Sequence, residues 1–346
     1  MSAATVTIDA GVLAVPVQSG TAEDAHRYVE TILDWSKLMD EPWVAIYMSE
    51  RASEALFEDG LYPLRDQLKR LFGTQGIVEY DVNTVAAVVD RLLQLTPSFE
   101  TFFSIRDVLT ENLSLEPDVM RLCSGEWLRS DLARCVVLIA VLREHCPQDA
   151  CEHSLILRSA DSRTVRVRAQ IHELDHSRQD LNGLPIYPEY FEGEVLVCEN
   201  FRGLVEGLSD AAILLRAKDD VGVETAVRVA LYKSRLVYQQ TFGWDDLPSF
   251  SIGHSFRPLM QAIHPTEQLA VRVLRAIVET LDRTNMADTH ALRNGPGGGD
   301  AQRVRENDKA MRRDIDHEYH LHYWQCADGT VEIASMVVHN DFAIPE

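Results

Sequence analysis

The C-terminal stretch from Asp314 to Glu346 combines histidines and carboxylates at a spacing of two residues. Two alternating runs, His317–Cys326 and Thr330–Val338, flank Asp328-Gly329, a strong signal for a two-residue hairpin loop. A two-residue loop places His322 opposite Ser335 and His320 opposite Val337. Because side chains alternate between the two faces of a strand, this hairpin collects polar side chains on one face. The polar residues predicted on that face are Asp316, Glu318, His320, His322, Ser335, His339 and Asp341.

Imidazole nitrogens and carboxylate oxygens are the ligands that borderline divalent metal ions prefer. The hairpin face therefore predicts a site for Zn²⁺, Mn²⁺ or Mg²⁺ whose ligands are His320, His322, His339 and Asp341. Glu318 or Asp316 is predicted to be a further ligand or the general base. The alternative is a solvated sheet face, on which histidine and aromatic residues are favoured for packing reasons. A one-residue bulge in the loop would also move His339 and Asp341 to the opposite face.

The segment before the hairpin is locally basic, although the chain as a whole is acidic. It follows a glycine-rich loop at Gly295–Gly299, and the polar stretch Ala301–Arg313 is predicted to be helical. Arg312 and Arg313 lead directly into the hairpin, and arginine binds phosphate groups through charge-assisted, often bidentate hydrogen bonds. We therefore predict that these two arginines hold a phosphate. The alternative is a solvated helix with interspersed charge pairs.

Another histidine motif, His172-Glu-Leu-Asp-His176, matches the HExxH pattern of zinc proteases. That chemistry requires a helix, on which the two histidines lie one turn apart on the same face. The preceding residues alternate strictly between apolar and polar, with Val165, Val167 and Ala169 on one side. This alternation favours a strand, on which the motif loses its metal-binding geometry.

Two weaker clusters also contain metal-ligand residue types. Within residues 145–153 lie two thiols and two imidazoles, but the spacing is unlike that of common zinc sites, and a helix-to-strand loop is favoured. Asp81 and Asn83 follow a short apolar run and could hold Mg²⁺ for phosphodiester hydrolysis. Asp and Asn are also the best helix N-caps, which explains the same residues structurally.

The composition is that of a soluble globular protein. The 346 residues include 33 basic and 54 acidic side chains, which gives a net charge of −21. Such a charge argues against a broad nucleic-acid-binding surface and against attraction to anionic membranes, and it is compatible with a partner that has a basic surface. The N-terminus lacks the basic and apolar regions of a signal peptide, and the six cysteines do not resemble a disulfide framework. We therefore expect a protein of the reducing cytoplasm.

The order of predicted elements indicates an α+β fold. Amphipathic helices dominate the first part of the chain, and one of them is predicted to begin at Pro97 and to contain Val108. Short strands are predicted at Trp43–Met48 and Ile77–Tyr80. Period-2 alternation then predicts strands at His153–Arg158, Thr164–Leu174 and Glu194–Phe201. Helices return before the C-terminal hairpin. We expect a mainly helical domain over 1–148 and an α+β domain with a mixed or antiparallel sheet over 149–346, with a single mixed domain as the alternative.

These features together predict a cytoplasmic, metal-dependent hydrolase that acts on a phosphate-bearing substrate, a nucleotide or a nucleic acid. A bound divalent ion lowers the pKa of water enough to make it a nucleophile near neutral pH, and the hairpin face carries the required ligand types. The competing prediction is a non-catalytic acidic subunit that docks a basic partner in a multiprotein complex. It follows from the net charge and from the absence of any recognised catalytic signature.

Overall fold

The chain has an α+β fold, as its sequence predicts. The computed structural model describes residues 4–16, 20–150, 152–182, 189–238, 242–295 and 299–345. Their helices and strands form two compact units, Ser2–Gly207 and Leu208–Glu346. The predicted division at 148/149 falls between strands of one sheet, because the strands on both sides of it belong to the sheet of the N-terminal unit.

The N-terminal unit is built on a mixed sheet. Its strands are β1 (Ala4–Ile8), β2 (Val44–Met48), β3 (Ile105–Glu116), β4 (His153–Ile156), β5 (Thr164–His176) and β6 (Glu189–Cys198). The strand order is β2-β1-β4-β6-β5-β3. The first four of these strands are parallel, and β5 runs antiparallel to both of its neighbours, β6 and β3. The order reverses between β1 and β4, so the carboxyl ends of these two strands meet at a topological switch point.

Most of the N-terminal unit before β4 is helical. They are α1 (Ala10–Leu13), α2 (Ala22–Leu38), α3 (Ala52–Glu58), α4 (Arg65–Gln75), α5 (Val82–Leu95), α6 (Phe99–Phe103), α7 (Glu126–His145), α8 (Pro147–Ala150) and α9 (Phe201–Gly207). Helix α2 begins with a capping box between Thr21 and Asp24, which satisfies backbone donors of its first turn. Helix α7 buries an apolar stretch that contains Leu138 and Ile139.

The C-terminal unit contains a second mixed sheet, which carries the predicted hairpin. Its strands are β7 (Phe250–Ile252), β8 (Thr289–Ala291), β9 (Val304–Arg305), β10 (Asp308–Asp314), β11 (Tyr319–Gln325) and β12 (Val331–Val338). The strand order is β7-β12-β11-β10-β8, and β9 pairs with β10. The helices of this unit are α10 (Asp210–Arg216), α11 (Asp220–Leu236), α12 (Phe256–Ala262) and α13 (Glu267–Leu281). Helix α13 contacts β10 and β11.

Three sequence predictions of local structure are wrong. The stretch Ala301–Arg313 is not helical, because it contributes β9 and β10, and pairing with β11 outweighs the local preference of its charged residues. Ile77–Tyr80 forms no strand, since only Ile77 is buried and Val78 lies in solvent. The helix predicted from Pro97 through Val108 ends at Phe103, where the long edge strand β3 begins almost at once.

Two general properties of the described residues complete the fold. None of the helices in the described ranges is both long enough and apolar enough to cross a membrane. The described cysteines are free thiols: Cys123, Cys135, Cys146, Cys198 and Cys326.

Candidate functional site

The C-terminal hairpin pairs the two strands in the register that the sequence predicts at the histidines. His320 lies opposite Val337, and His322 lies opposite Ser335. The loop is one residue longer than predicted, since Gln325 pairs with Val331 and Gly329 adopts a left-handed conformation with φ of 90°. A bulge in β12 beside His322 inserts one residue and restores the predicted register.

Pairing across the sheet places four polar residues in one row on the same face. Arg312 of β10 lies between His290 of β8 and His322 of β11, and Ser335 of β12 follows on the far side of His322. In the neighbouring row, Asp314 lies opposite His320. We refer to the polar residues of this face as the histidine cluster: His290, Arg312, Asp314, His320, His322, Ser335, His339 and Asp341.

The imidazole rings of the cluster are close together. The ring centroids of His320 and His339 are 4.4 Å apart, and those of His320 and His322 are 6.4 Å apart. His320, His322 and Ser335 are fully buried, whereas His339 and His290 are exposed. The cluster therefore extends from the interior of the C-terminal unit to its surface.

Several buried polar atoms of the cluster have no hydrogen-bond partner. They are Nδ1 and Nε2 of His320, Nε2 of His322, Oγ of Ser335 and Nε of Arg312. His322 donates its Nδ1 proton to the carbonyl oxygen of Ala343 at 2.9 Å, because a carbonyl can only accept. This bond leaves Nε2 of His322 as an unprotonated acceptor inside the protein.

Burial keeps both inner histidines neutral. It lowers the pKa of His320 below its ordinary value and lowers the pKa of His322 to about 4. The charge of the neighbouring Arg312 acts in the same direction on both rings. At neutral pH each ring therefore offers one lone pair, the form in which imidazole binds a metal ion.

The carboxylates in and near the cluster differ in the contacts that they make. Asp314 Oδ1 lies 3.0 Å from His320 Nε2, within ion-pair distance, but the two atoms form no hydrogen bond. Asp341 lies near enough to His322 to act on its pKa. Asp316 stabilises the turn between β10 and β11 by accepting from the backbone of Glu318 and Tyr319, and it pairs with Arg272 at 3.0 Å. Glu318 lies exposed in that same turn.

The two arginines predicted to bind phosphate point to opposite faces of the sheet. Arg312 belongs to the histidine cluster and pairs with no carboxylate among the described residues. Arg313 is fully buried on the other face, where it donates to Glu279 Oε2 at 2.8 Å and to the carbonyl oxygen of Thr284 at 2.6 Å. The structure therefore brings Arg312, and not Arg313, to the candidate site.

The other predicted motifs have structural explanations. His172 lies on β5 as predicted, and its Nε2 lies 3.3 Å from Glu111 instead of facing a second histidine ligand. His153 is buried between Thr7 and Thr5, to which its two ring nitrogens are hydrogen-bonded at 2.8 and 2.9 Å. Cys151, which the predicted zinc cluster needs, lies outside the described residues. Asp81 caps α5 by accepting from the backbone of Thr84 at 2.9 Å.

Sequence reasoning missed two members of the histidine cluster. Asp314 was missed because the segment before it was predicted to be helical, and Asp308–Asp314 shows no alternation of apolar and polar residues that would have indicated a strand. His290 lies on a strand of three residues, too short for a period to be visible.

A second buried polar group, in the N-terminal unit, was also not predicted. Nη2 of Arg134 donates to Ser49 Oγ at 2.7 Å, to Asp131 Oδ1 at 3.0 Å and to Glu100 Oε1. Glu100 also accepts from the backbone of Glu50, and Ser49 donates to Asp131 at 2.7 Å. We refer to Arg134, Asp131, Glu100 and Ser49 as the Arg134 cluster. Its members come from distant parts of the chain, so no local sequence pattern predicts the cluster.

Within the part of the chain that the structure describes, no group of three or more His, Cys, Asp or Glu side chains is arranged to hold a metal ion as it stands. Comparisons with family models, with curated proteins and with solved structures find no match to this chain.

Proposed function

We propose that the protein is a metal-dependent hydrolase that acts on a phosphate-bearing substrate, a nucleotide or a nucleic acid, at the histidine cluster. The observation that carries this proposal is the set of buried ring nitrogens without partners beside the unpaired Arg312. Buried polar groups in proteins are nearly always satisfied, and each unsatisfied group costs about 1–3 kcal/mol. A cluster of such groups is therefore better explained by a ligand than by packing.

The proposed metal ligands are His320, His322, His339 and Asp341. His322 has the arrangement of a metal-binding histidine, because one ring nitrogen donates to a backbone carbonyl and the other keeps its lone pair. His339 and Asp341 are at least partly exposed, and they must turn towards the two buried rings to complete the site.

Asp314 is a further candidate ligand. Two donor atoms that each lie about 2.1 Å from one ion, at right angles, are separated by about 3.0 Å. Asp314 Oδ1 and His320 Nε2 are 3.0 Å apart in a geometry unsuited to a hydrogen bond. The carboxylate of Asp314 is also partly exposed, so an ion bound there would be accessible to substrate and water.

The remaining roles follow from charge and position. Arg312 would bind the phosphate of the substrate next to the ion. A divalent ion supplies a water of lowered pKa as the nucleophile and polarises the phosphoryl oxygen. Glu318, in the exposed turn before β11, is the proposed general base that receives the proton of that water. Asp316 is less suited to this role, because its carboxylate is held by two backbone donors and Arg272.

A second candidate function is a non-catalytic acidic subunit that docks a basic partner. The observation that favours it is the excess of acidic over basic side chains, 54 against 33. For either function we place the protein in the cytoplasm, where free thiols such as the buried Cys135 and Cys198 stay reduced.

Hydrolysis assays on the full chain test the proposal. Wild type, His320→Ala and His317→Ala are freed of metal by chelation and assayed with phosphomonoesters, phosphodiesters and single-stranded nucleic acid, with and without Mn²⁺. His317 is exposed and lies outside the cluster, so it is the matched control. We expect metal-dependent hydrolysis that falls on the order of 100-fold in His320→Ala and is unchanged in His317→Ala.

Metal-dependent activity that survives in a folded His320→Ala variant contradicts this site. If wild type hydrolyses none of these esters with Mn²⁺, Zn²⁺ or Mg²⁺, the hydrolase proposal fails. The acidic-subunit alternative then predicts that a basic protein partner co-purifies with the chain.

A further inference from the structure

The segment 342–345, which follows the hairpin, lies against the sheet face that carries the histidine cluster. Two side chains of β11 donate to its backbone at 2.9 Å: His322 Nδ1 to the carbonyl oxygen of Ala343, and Trp324 Nε1 to that of Pro345. His322 and Trp324 are two residues apart on one strand, so they lie on the same face. The segment therefore covers two consecutive positions of this face.

One side chain anchors the segment to the sheet. Ile344 is buried in an apolar cluster, and Phe342 packs against the edge of that cluster. The other members of the cluster are Leu292, Ala310, Trp324 and Ala334. Ala343 itself is exposed. The carbonyl that accepts from His322 thus belongs to a surface residue, and the neighbouring Ile344 holds that residue in place.

Few other contacts hold the segment. It has no regular secondary structure, and among the described residues no backbone-to-backbone hydrogen bond joins it to a strand. The backbone N–H of Ala343 donates to Asp341 Oδ1 at 2.8 Å, and Pro345 has no N–H to donate. Segments with few buried side chains and few backbone hydrogen bonds open at a lower free energy than the sheet beneath them. The segment can therefore lift while β11 and β12 stay paired.

The bond to Ala343 also determines which ring nitrogen of His322 carries the proton. A carbonyl oxygen can only accept, so Nδ1 is protonated and Nε2 keeps its lone pair. Nε2 forms no hydrogen bond that would hold the ring in this tautomer. The tautomer of His322 therefore depends on the position of the segment 342–345.

We propose that residues 342–345 form a strap that opens independently of the sheet and, when seated, sets His322 in the tautomer whose Nε2 can bind a ligand. Ile344 is the anchor of the strap, and the carbonyl of Ala343 is the positioning group. When the strap lifts, the ring can exchange its proton through water, and Nε2 becomes a donor instead of an acceptor. The inference rests on the proposed function only in identifying the ligand of Nε2 as a metal ion.

Hydrogen exchange in the metal-free wild type tests whether the strap opens by itself. The indole N–H of Trp324 is bonded to the strap, whereas the backbone N–H groups of β11 are bonded to β10 and β12. NMR measures the protection of both against exchange. We expect the protection factor of the indole N–H to be at least about tenfold lower than those of the β11 amides. Equal protection factors would mean that the strap opens only with the sheet, and they would overturn the inference.

Substitution of Ile344 tests the positioning of His322. Ile344→Asp places a charge in the apolar cluster and should lift the strap, whereas Ile344→Met keeps an apolar side chain of similar volume. Val304→Asp makes the matched change at an exposed position of β9. Histidine-selective 15N NMR at pH 8, where imidazole is neutral, distinguishes protonated from unprotonated ring nitrogens. We expect the Nδ1–H form of His322 in wild type, Ile344→Met and Val304→Asp, and a shift to the Nε2–H form in Ile344→Asp.

Two results with a folded Ile344→Asp variant overturn the inference. One is that His322 stays in the Nδ1–H form, and the other is that the indole N–H of Trp324 keeps its wild-type protection. If this variant unfolds, the β11 amides lose protection together with the indole, and the exchange measured in wild type decides the question.

The outcome is separable from that of the hydrolase assays, because both measurements use metal-free protein. A strap that behaves as expected, without metal binding or hydrolysis, supports the inference and contradicts the enzyme. The strap predicts that Zn²⁺ or Mn²⁺ binds Ile344→Asp at least about tenfold more weakly than wild type. Equal metal affinity in the two proteins supports a metal site and contradicts the positioning role of the strap.

Discussion

The protein buries two polar clusters that differ in how completely their atoms are hydrogen-bonded. In the Arg134 cluster, Nη2 of the arginine bonds to a hydroxyl and two carboxylates, and Nη1 donates to the backbone carbonyl of Arg106 at 2.9 Å. Only its Nε lacks a partner. In the histidine cluster, both nitrogens of His320, Nε2 of His322 and Oγ of Ser335 form no hydrogen bond, and Nε2 of His320 has only the ion-pair contact with Asp314 at 3.0 Å.

The difference indicates two kinds of role. A buried charge network with its hydrogen bonds made has nothing left to offer a ligand, and it holds together distant segments of the N-terminal unit. A buried group without partners lowers the stability of the free protein, and a ligand that supplies the missing bonds recovers that free energy. We therefore propose that the Arg134 cluster stabilises the fold and that the histidine cluster binds a ligand.

Substitution of Arg134 by Met should give the largest effect, because it leaves the buried carboxylates of Glu100 and Asp131 without their cation. We expect the free energy of unfolding of the N-terminal unit to fall by about 3–5 kcal/mol in chemical denaturation. Arg129→Met, an exposed arginine on the same helix, should stay within about 0.5 kcal/mol of wild type. A small decrease in the free energy of unfolding in Arg134→Met would contradict a structural role for this cluster.

Ionisation of Asp9 makes the stability of the N-terminal unit depend on pH. Burial, with the nearby Asp131 carboxylate, raises the pKa of Asp9 from 3.8 to about 7. The folded state therefore binds more protons than the unfolded state between pH 4 and pH 7, and this residue makes the protein less stable as the pH rises through that window. Asp9→Asn keeps an acceptor for the Gly11 N–H and removes the charge.

We expect Asp9→Asn to stabilise the protein at pH 8 by up to about 4 kcal/mol and to have little effect at pH 4. Denaturation of wild type and variant at both values measures the difference. Asp34→Asn, at an exposed position, is the control. An effect of Asp9→Asn that does not change between pH 4 and pH 8 would show that Asp9 ionises as freely in the folded state as in the unfolded state.

Arg312 and Arg313 allow an arginine without a partner and a hydrogen-bonded arginine to be compared within one strand. Arg313→Met should lower the free energy of unfolding of the C-terminal unit by about 2–3 kcal/mol, because it breaks charge-assisted bonds to Glu279 and to the backbone. Arg312→Met should change it by less than about 1 kcal/mol, since Arg312 has no partner to lose. If both substitutions destabilise the protein equally, Arg312 is a structural residue.

Ser335→Ala should have the smallest effect on stability. Removal of a buried hydroxyl without a partner leaves no new unsatisfied group, so we expect a change within about 1 kcal/mol, in either direction. Ser49→Ala is the matched control in the Arg134 cluster, where the hydroxyl bonds to Arg134 and Asp131. Ser49→Ala should be the more destabilising of the two in thermal unfolding, and the reverse order would contradict the comparison.

The sequence predicted the features that depend on local patterns. Alternation identified β4 to β6 and the C-terminal hairpin, and Asp81 was recognisable as a helix cap. The cross-strand neighbours of His320 and His322 also followed from alternation. In the hairpin, a longer loop and a bulge shift the register in opposite directions, so the predicted pairs recur although the predicted loop is wrong.

Features that depend on distant contacts could not be read from the sequence. Arg134, Glu100 and Ser49 are brought together only by the packing of α7 and α6 near the end of β2. Whether Arg312 or Arg313 faces the histidines depends on the register of β10 with β11, and a predicted helix gave no such register. Asp314 was missed for the same reason, whereas His290 was missed because its strand has only three residues.

Elemental analysis of the purified full chain tests most directly whether the histidine cluster binds a metal ion. Wild type, His320→Ala/His322→Ala and His172→Ala/His176→Ala are each incubated with Zn²⁺, Mn²⁺ or Mg²⁺, desalted and measured for bound metal. A metal site in the histidine cluster predicts near-stoichiometric metal in wild type and in the variant of the β5 histidines, and loss of the metal in His320→Ala/His322→Ala. Metal retained by a folded His320→Ala/His322→Ala variant, or no metal in wild type with any of the three ions, would contradict it.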